Sequence, residues 1–279
     1  MGRTRGVAGT TGIGLLLAAA LCLPGPAGAT SPTDSYFAVE PIVPAGEIMR
    51  RWQPVVDAIN HATGLKLELR YYDGTERFAS ALAAGEPAVI LAGPAHVWGF
   101  RAHYRPVLRG LEPLNDVVVV LKDSPARSLS DLRGHRLAVA AGADPVGPNM
   151  VMQELAAHHI SPELVNMHTH SNCFLALYLG KVDAASSNTA ALSLVEPEVR
   201  AKLRVIYLSP AMPPPALAVR RDLPEAEVQL IEDALYKLRD SSPALMSNAL
   251  MSRFTSADLQ RDYGVLARPA ALEASAHGP

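Results

Sequence analysis

Cysteine is nearly missing from this chain of 279 residues, which has two, Cys22 and Cys173. A disulfide-stapled scaffold is thereby excluded, because only one cysteine lies beyond the first thirty residues. A surplus of positive charge is also lacking: 25 Lys and Arg stand against 27 Asp and Glu. Such a balance argues against a nucleic-acid partner, which needs a basic face. No apolar run beyond residue 30 reaches membrane-spanning length. There is no Gly-x-Ser-x-Gly elbow and no His-Glu-x-x-His helix, so nothing here marks an enzyme.

What is present begins with an export signal. Arg3 and Arg5 open it, residues 12–23 form a short apolar stretch, and Ala27-Gly28-Ala29 is a small-residue cleavage pattern. Residues 1–29 are therefore expected to be removed on export to the periplasm. Leu21 before Cys22 is too bulky for a lipoprotein signal, which argues against a lipid anchor. Losing Arg3 and Arg5 makes the mature chain slightly more acidic.

Strand-like and helix-like segments then alternate, which predicts α/β layers with mostly parallel sheets. Strands are expected at 36–39, 65–71, 88–92, 117–121, 136–141, 164–170, 182–186 and 203–208. A helix is expected over 46–62, with Ile48, Trp52, Val55, Val56 and Ile59 as its apolar stripe and Gly64 as its stop. Thr75 and Ser128 start further helices, and a turn rich in glycine and proline spans 142–148. Ser171 is expected to cap another helix, and a terminal helical region runs over 224–263. Two linkers, one at Leu114-Asn115-Asp116 and one at 209–215, divide the chain into a first lobe (30–115 and 211–279) and a second lobe (116–210). A double crossing of this kind permits hinge closure.

The segments Arg51-Trp52-Gln53-Pro54, Ser130-Asp131-Leu132-Arg133-Gly134, Ser171-Asn172-Cys173, Gly180-Lys181-Val182-Asp183 and Leu208-Ser209-Pro210-Ala211-Met212-Pro213 occur in that order. In this sequence the chain resembles the PhnD-like periplasmic solute-binding proteins of phosphonate and phosphite ABC transporters, over about residues 36–223. The resemblance implies a two-lobed type II periplasmic binding fold that holds a small-molecule solute between its lobes. It further implies a monomer that delivers the solute to an inner-membrane permease or a sensor kinase. The chain departs from the family where an oxyanion would sit. The turn Ala143-Asp144-Pro145-Val146-Gly147-Pro148-Asn149 has no hydroxyl, two prolines without N–H donors, and an acid. Asn172, Cys173 and Asn188 stand where the resemblance implies His, Asp and an acid.

Ligands of open α/β sheets lie beyond the carboxyl ends of the strands. The residues expected there are Glu40, Tyr72 and His96 from the first lobe, with Asn149, His170, Ser171, Asn172, Cys173 and Asn188 from the second. No cofactor is required by these motifs. A second reading takes His96, His170 and Cys173, with Met150 or Met212, as soft ligands for copper, zinc, a metal complex or a soft oxyanion. It supposes that His168 and His170 share a strand face. Against it, methionines commonly fill cores, and His-x-x-Cys has no closed four-ligand pattern behind it.

Overall fold

The computed structural model describes residues 1–2, 35–140, 149–249 and 251–267. The expected turn at 142–148 and, apart from residues 1–2, the expected export signal fall outside them. Among the described residues, eleven strands form two sheets.

The first sheet contains β1 (Ser35–Val39), β2 (Leu67–Arg70), β3 (Pro87–Ala92), β4 (Tyr104–Gly110), β10 (Ala216–Arg220) and β11 (Phe254–Ser256), in the order β11-β4-β10-β3-β1-β2. The second contains β5 (Asp116–Leu121), β6 (Arg136–Val139), β7 (Glu163–Asn166), β8 (Ala184–Asn188) and β9 (Leu203–Leu208), in the order β7-β6-β8-β5-β9. Both sheets are mixed, a departure from the mostly parallel arrangement read from the alternation. β1 runs parallel to β2 and β3, whereas β10 lies antiparallel to β3 and β4. In the second sheet β5 is antiparallel to both its neighbours. The strands next to the crossings, β4 and β10 in the first sheet and β5 and β9 in the second, all take part in antiparallel pairs.

Local sequence accounts for most elements. Helix Ala45–Thr63 buries Ile48, Trp52, Val55, Val56 and Ile59, and Gly64 ends it in the left-handed conformation. Burying an aliphatic side chain of this kind contributes roughly 1.5–3 kcal/mol. Ser128 and Asp131 form a reciprocal cap on the short turn Leu129–Leu132. The valine run of β5 is buried on both faces between β8 and β9. Three strands, β4, β10 and β11, were hidden in the sequence. β4 contains Pro106, which has no N–H to donate, and the ladder shifts register at the facing Leu217/Ala218. β10 directly follows a proline-dense stretch. The expected helical region over 224–263 is broken as well. Helix Glu225–Ser241 stops before Pro243, a second helix Pro243–Asn248 follows, and β11 precedes helix Leu259–Tyr263.

The chain passes from the first sheet to the second between Gly110 and Asp116 and returns between Leu208 and Ala216. The two crossing segments are tied together. Leu114 and Met212 exchange backbone hydrogen bonds of 3.1 and 2.7 Å, and Ser209 N–H donates to the Asp116 carbonyl at 2.9 Å. The Tyr263 hydroxyl donates to the Pro214 carbonyl at 2.9 Å, fastening the returning segment to the first lobe.

Candidate functional site

A cleft of about 1140 Å³ is lined by residues of both lobes. Its first-lobe wall is built where β1 and β3 end. Glu40 follows β1, and Gly93 follows β3 and opens helix Pro94–Gly99, which carries His96. Glu40 is buried and accepts the Gly93 N–H through Oε2, while His96 Nδ1 lies 3.1 Å from Oε1. A side chain at Gly93 would meet Glu40 Oε2 at 3.1 Å, so glycine permits the carboxylate's approach. The His96 ring is fixed edge-on to Phe78, at 5.3 Å between centroids, and stacked on Phe100 at 6.2 Å. Burial works against the charge of Glu40. The nearby His96, His170 and the Gly93 N–H outweigh it and hold the carboxyl at about 2.

The second-lobe wall comes from helix starts and from β8. His170 is the first residue of helix His170–Tyr178, and its Nδ1 is 3.2 Å from the Ser187 hydroxyl. Desolvation lowers the pKa of His170 against the opposing pull of Glu40, and His96 lowers it further. Asn188, 6% exposed, ends β8 and caps the next helix by accepting Ala191 N–H at 2.9 Å. Asn149 caps helix Met150–Ala157 by accepting Met152 N–H at 3.0 Å. Asp116, the first residue of β5, faces Asn188 across the ladder, and its Oδ2 accepts the Met150 N–H at 3.1 Å. Burial, with the Glu40 carboxylate adding to it and the Met150 amide opposing it, pushes the Asp116 carboxyl up to about 7.

The lobes touch at the cleft's edge. Thr75 donates its hydroxyl to the Ala140 carbonyl at 2.7 Å and its N–H to the His168 carbonyl at 3.0 Å. Asn166 Nδ2 donates to Glu76 Oε1 at 2.7 Å, and Ser171 N–H donates to the Ile42 carbonyl at 3.1 Å.

Of the residues expected from sequence, Glu40, His96, Asn149, His170 and Asn188 line this cleft. Tyr72 does not: it packs on Phe78 and its hydroxyl reaches Glu86 at 3.4 Å. Ser171 and Asn172 do not line it either: the Ser171 N–H is used at the lobe contact with Ile42, and Asn172 bonds locally, its N–H to Thr169 Oγ1 and its side-chain amide to the Met167 carbonyl. The helix cap is Thr169, two residues before the expected Ser171. β7 stops at Asn166, and His168 adopts a left-handed φ of 64°, so His168 and His170 do not share a strand face.

Cys173 is fully buried among Phe174, Leu177, Val117 and Ala138. Its Sγ lies 3.5 Å from the Thr169 carbonyl, and burial pushes the thiol up to about 12. One helical turn beyond His170, the cysteine points into the core of the second lobe. Met150 and Met212 are likewise core residues, packed in one cluster with Ala92 and Ala216. Among the described residues no group of three His, Cys, Asp or Glu is placed to hold a metal ion. The copper or zinc reading therefore loses its thiolate and the Met150 thioether, while Met212, though buried, does line the cleft.

Sequence reasoning missed Thr75, Asp116, Ser186 and Ser187 as cleft residues. Thr75 had been read as a cap and Asp116 as a linker residue. Position at a crossing was the only signal for Asp116, while Thr75 starts a helix after a loop and Ser186 and Ser187 lie within β8.

The family model for the ABC-transporter phosphonate periplasmic substrate-binding protein matches residues 37–263. A search among curated proteins finds no match. Among solved structures, a binding-protein component of an ABC phosphonate transporter from Pseudomonas aeruginosa is similar with a TM-score of 0.75 at 16% identity, over 88% of this chain and 89% of that one. PhnD1 from Prochlorococcus marinus in complex with methylphosphonate gives 0.73 at 11% identity, over 86% and 98%. A Xanthomonas citri protein bound to ATP gives 0.65 at 16% identity, over 86% and 97%. At these identities the likeness is one of fold.

Proposed function

The chain belongs to the periplasmic substrate-binding proteins of phosphonate ABC transporters, and from that membership we propose that it captures its solute between Glu40 and His96 on one lobe and His170, Ser187 and Asn188 on the other. The family's role is to bind a small solute in the periplasm and hand it to the permease of an ABC transporter. The observation that carries the assignment to this cleft is a buried, charged Glu40 on which His170 of the opposite lobe acts together with His96 and Gly93 of its own, the lobes being joined by two crossing segments among the described residues. A buried carboxylate is costly to keep without partners, and here both lobes must contribute to its surroundings.

The mechanism is a population shift. A ligand touching both walls binds the closed arrangement better than the open one and so stabilises it, and the permease recognises that state. Bending is assigned to 111–115 and 209–215, with 30–115 and 211–279 as one lobe and 116–210 as the other. The protein acts as a monomer, and residues 1–29 are a leader that directs export and is cleaved after Ala29. Intact-mass measurement of protein recovered from the periplasm tests the leader: the chain should begin at Thr30.

The cleft itself is tested by thermal-shift screening of the purified protein against small solutes, followed by titration of each hit. A ligand at a hundred times its dissociation constant stabilises by about 2.7 kcal/mol. Glu40→Gln and His170→Ala, one on each wall, are both expected to weaken the hit at least tenfold. A solute that binds both variants as well as the parent overturns this placement.

A further inference from the structure

At each helix start that faces the cleft, some of the N–H groups are taken by the protein's own groups. An oxyanion is commonly held by the free N–H groups at a helix N-terminus, favoured by the helix dipole. Here the Met150 N–H is taken by the Asp116 carboxylate and the Met152 N–H by Asn149. At helix His170–Tyr178 the Asn172 N–H goes to Thr169 and the Ser171 N–H to the Ile42 carbonyl. At helix Thr189–Ser193 the Thr189 N–H goes to the Asn115 carbonyl and the Ala191 N–H to Asn188. On the other wall Glu40 takes the Gly93 N–H and the His168 carbonyl takes that of Thr75.

The charge of the walls points the same way. Among the described lining residues the acids are Glu40, Glu76, Glu112 and Asp116, and the one Arg or Lys is Arg253. Arg253 lies at the exposed rim, 3.5 Å from Glu112. Residues 141–148 carry Asp144 and no Lys or Arg in their sequence. Asp116 has no basic partner among the described residues, and its contact to the Met150 amide leaves most of its lone pairs open. Beside it, the hydroxyl of Ser186, 7% exposed and on the cleft wall, has no hydrogen-bond partner among the described residues. Among the described residues, the walls thus set carboxylates and hydroxyls within the cleft and their one guanidinium at its rim.

We propose that the cleft takes a small solute bearing a protonated amine or a quaternary ammonium group, with the cationic end held between Asp116 and Glu40 and the polar remainder reaching Ser186, Asn188 and His170. The inference rests on the cleft being the binding site, as proposed above. Asp116 is then the residue that sets specificity: it occupies a helix start with negative charge and presents its free oxygen to the ligand.

The experiment titrates the purified protein by calorimetry, at pH 8, with ethanolamine, putrescine and choline as cationic probes and with methylphosphonate and phosphite as anionic ones. At least one cationic probe is expected to bind, and Asp116→Asn, which keeps an oxygen for the Met150 N–H, is expected to weaken it at least tenfold. Circular dichroism of the variant establishes that it is folded. Binding of an anionic probe with no cationic probe bound overturns this inference and leaves the cleft reading standing. An amine that binds Asp116→Asn undiminished also overturns it. If neither class binds, the inference falls together with the placement of the site.

Discussion

Thr75 of the first lobe and Ala140 of the second are joined by a hydroxyl-to-carbonyl hydrogen bond of 2.7 Å, at a buried threonine. No backbone ladder connects the lobes at this point, so the bond exists only while they are together. Thr75→Ala removes the donor and leaves the Ala140 carbonyl to be solvated, whereas Thr75→Ser keeps the hydroxyl. A neutral hydrogen bond contributes about 0.5–1.5 kcal/mol net. Ligand affinity should therefore fall roughly two- to tenfold in Thr75→Ala and recover in Thr75→Ser, with calorimetric titration as the readout.

Gly74 beside it has a φ of +93°, a conformation that side chains resist, and a Cβ there would meet His168 Cβ at 3.1 Å and the His168 carbonyl at 3.2 Å. The obstructing atoms belong to the opposite lobe. Gly74→Ala is thus expected to hold the lobes apart as well as to cost about 1 kcal/mol or more in backbone strain. Small-angle scattering should give a larger radius of gyration for the variant than for the parent. Equal radii would mean that the loop yields and the contact does not control closure.

Glu40 gives the fold an acid limit. Its carboxyl titrates at about 2 in the folded protein against an ordinary 4.5, so the unfolded chain binds the proton more readily. The stabilisation is present above pH 4.5 and is lost as pH falls toward 2. Its size is on the order of 3 kcal/mol, from the difference in proton affinity. Thermal melts between pH 3 and 6 should show the parent losing stability with acid more steeply than Glu40→Gln.

Cys173 should be chemically silent. The thiolate is the reactive form, and burial in the second-lobe core pushes the thiol up to about 12. Ellman's reagent at pH 8 is expected to leave the native protein unmodified and to label one thiol per mature chain in denaturant. Labelling of the native protein at the rate of a free thiol would place Cys173 at a surface.

How far the sequence alone carried can be read from these residues. Helix Ala45–Thr63 was legible to its buried face, because a stripe of five apolar residues has one solution at helical period. Glu40, His96 and Asn188 were legible as wall residues because each follows a strand, where α/β clefts lie. Cys173 misled because residues three apart on a helix ordinarily share a face, which suggested that it joins His170, whereas the apolar neighbours Phe174 and Leu177 draw Cys173 into the second-lobe core. β4 and β10 were hidden by Pro106 and by the proline run before Ala216, since proline weakens a strand signal even where the sheet tolerates it. Thr75 and Asp116 were invisible as partners because their contacts join segments 65 and 34 residues apart.

Asp116 makes a pH prediction opposite in sign to that of Glu40. Its folded carboxyl lies at about 7, above the ordinary 3.8, so between these values the folded protein holds a proton that the unfolded chain has released. Rising pH strips that proton from a poorly hydrated site next to Glu40, and stability is lost through this window. The contribution is full below pH 3.8 and gone above about 7, on the order of 4 kcal/mol across the interval. Asp116→Asn carries no such proton and retains an acceptor for Met150 N–H. Its melting temperature relative to the parent should therefore rise from pH 5 to about pH 7 and level off toward pH 8. A bound cation at Asp116 supplies what the lobe walls lack, so saturating amine is expected to flatten the parent's slope and leave that of Asp116→Asn unchanged. A parent whose relative stability stays constant across this range would mean that the carboxyl is already hydrated and ordinary in the open cleft.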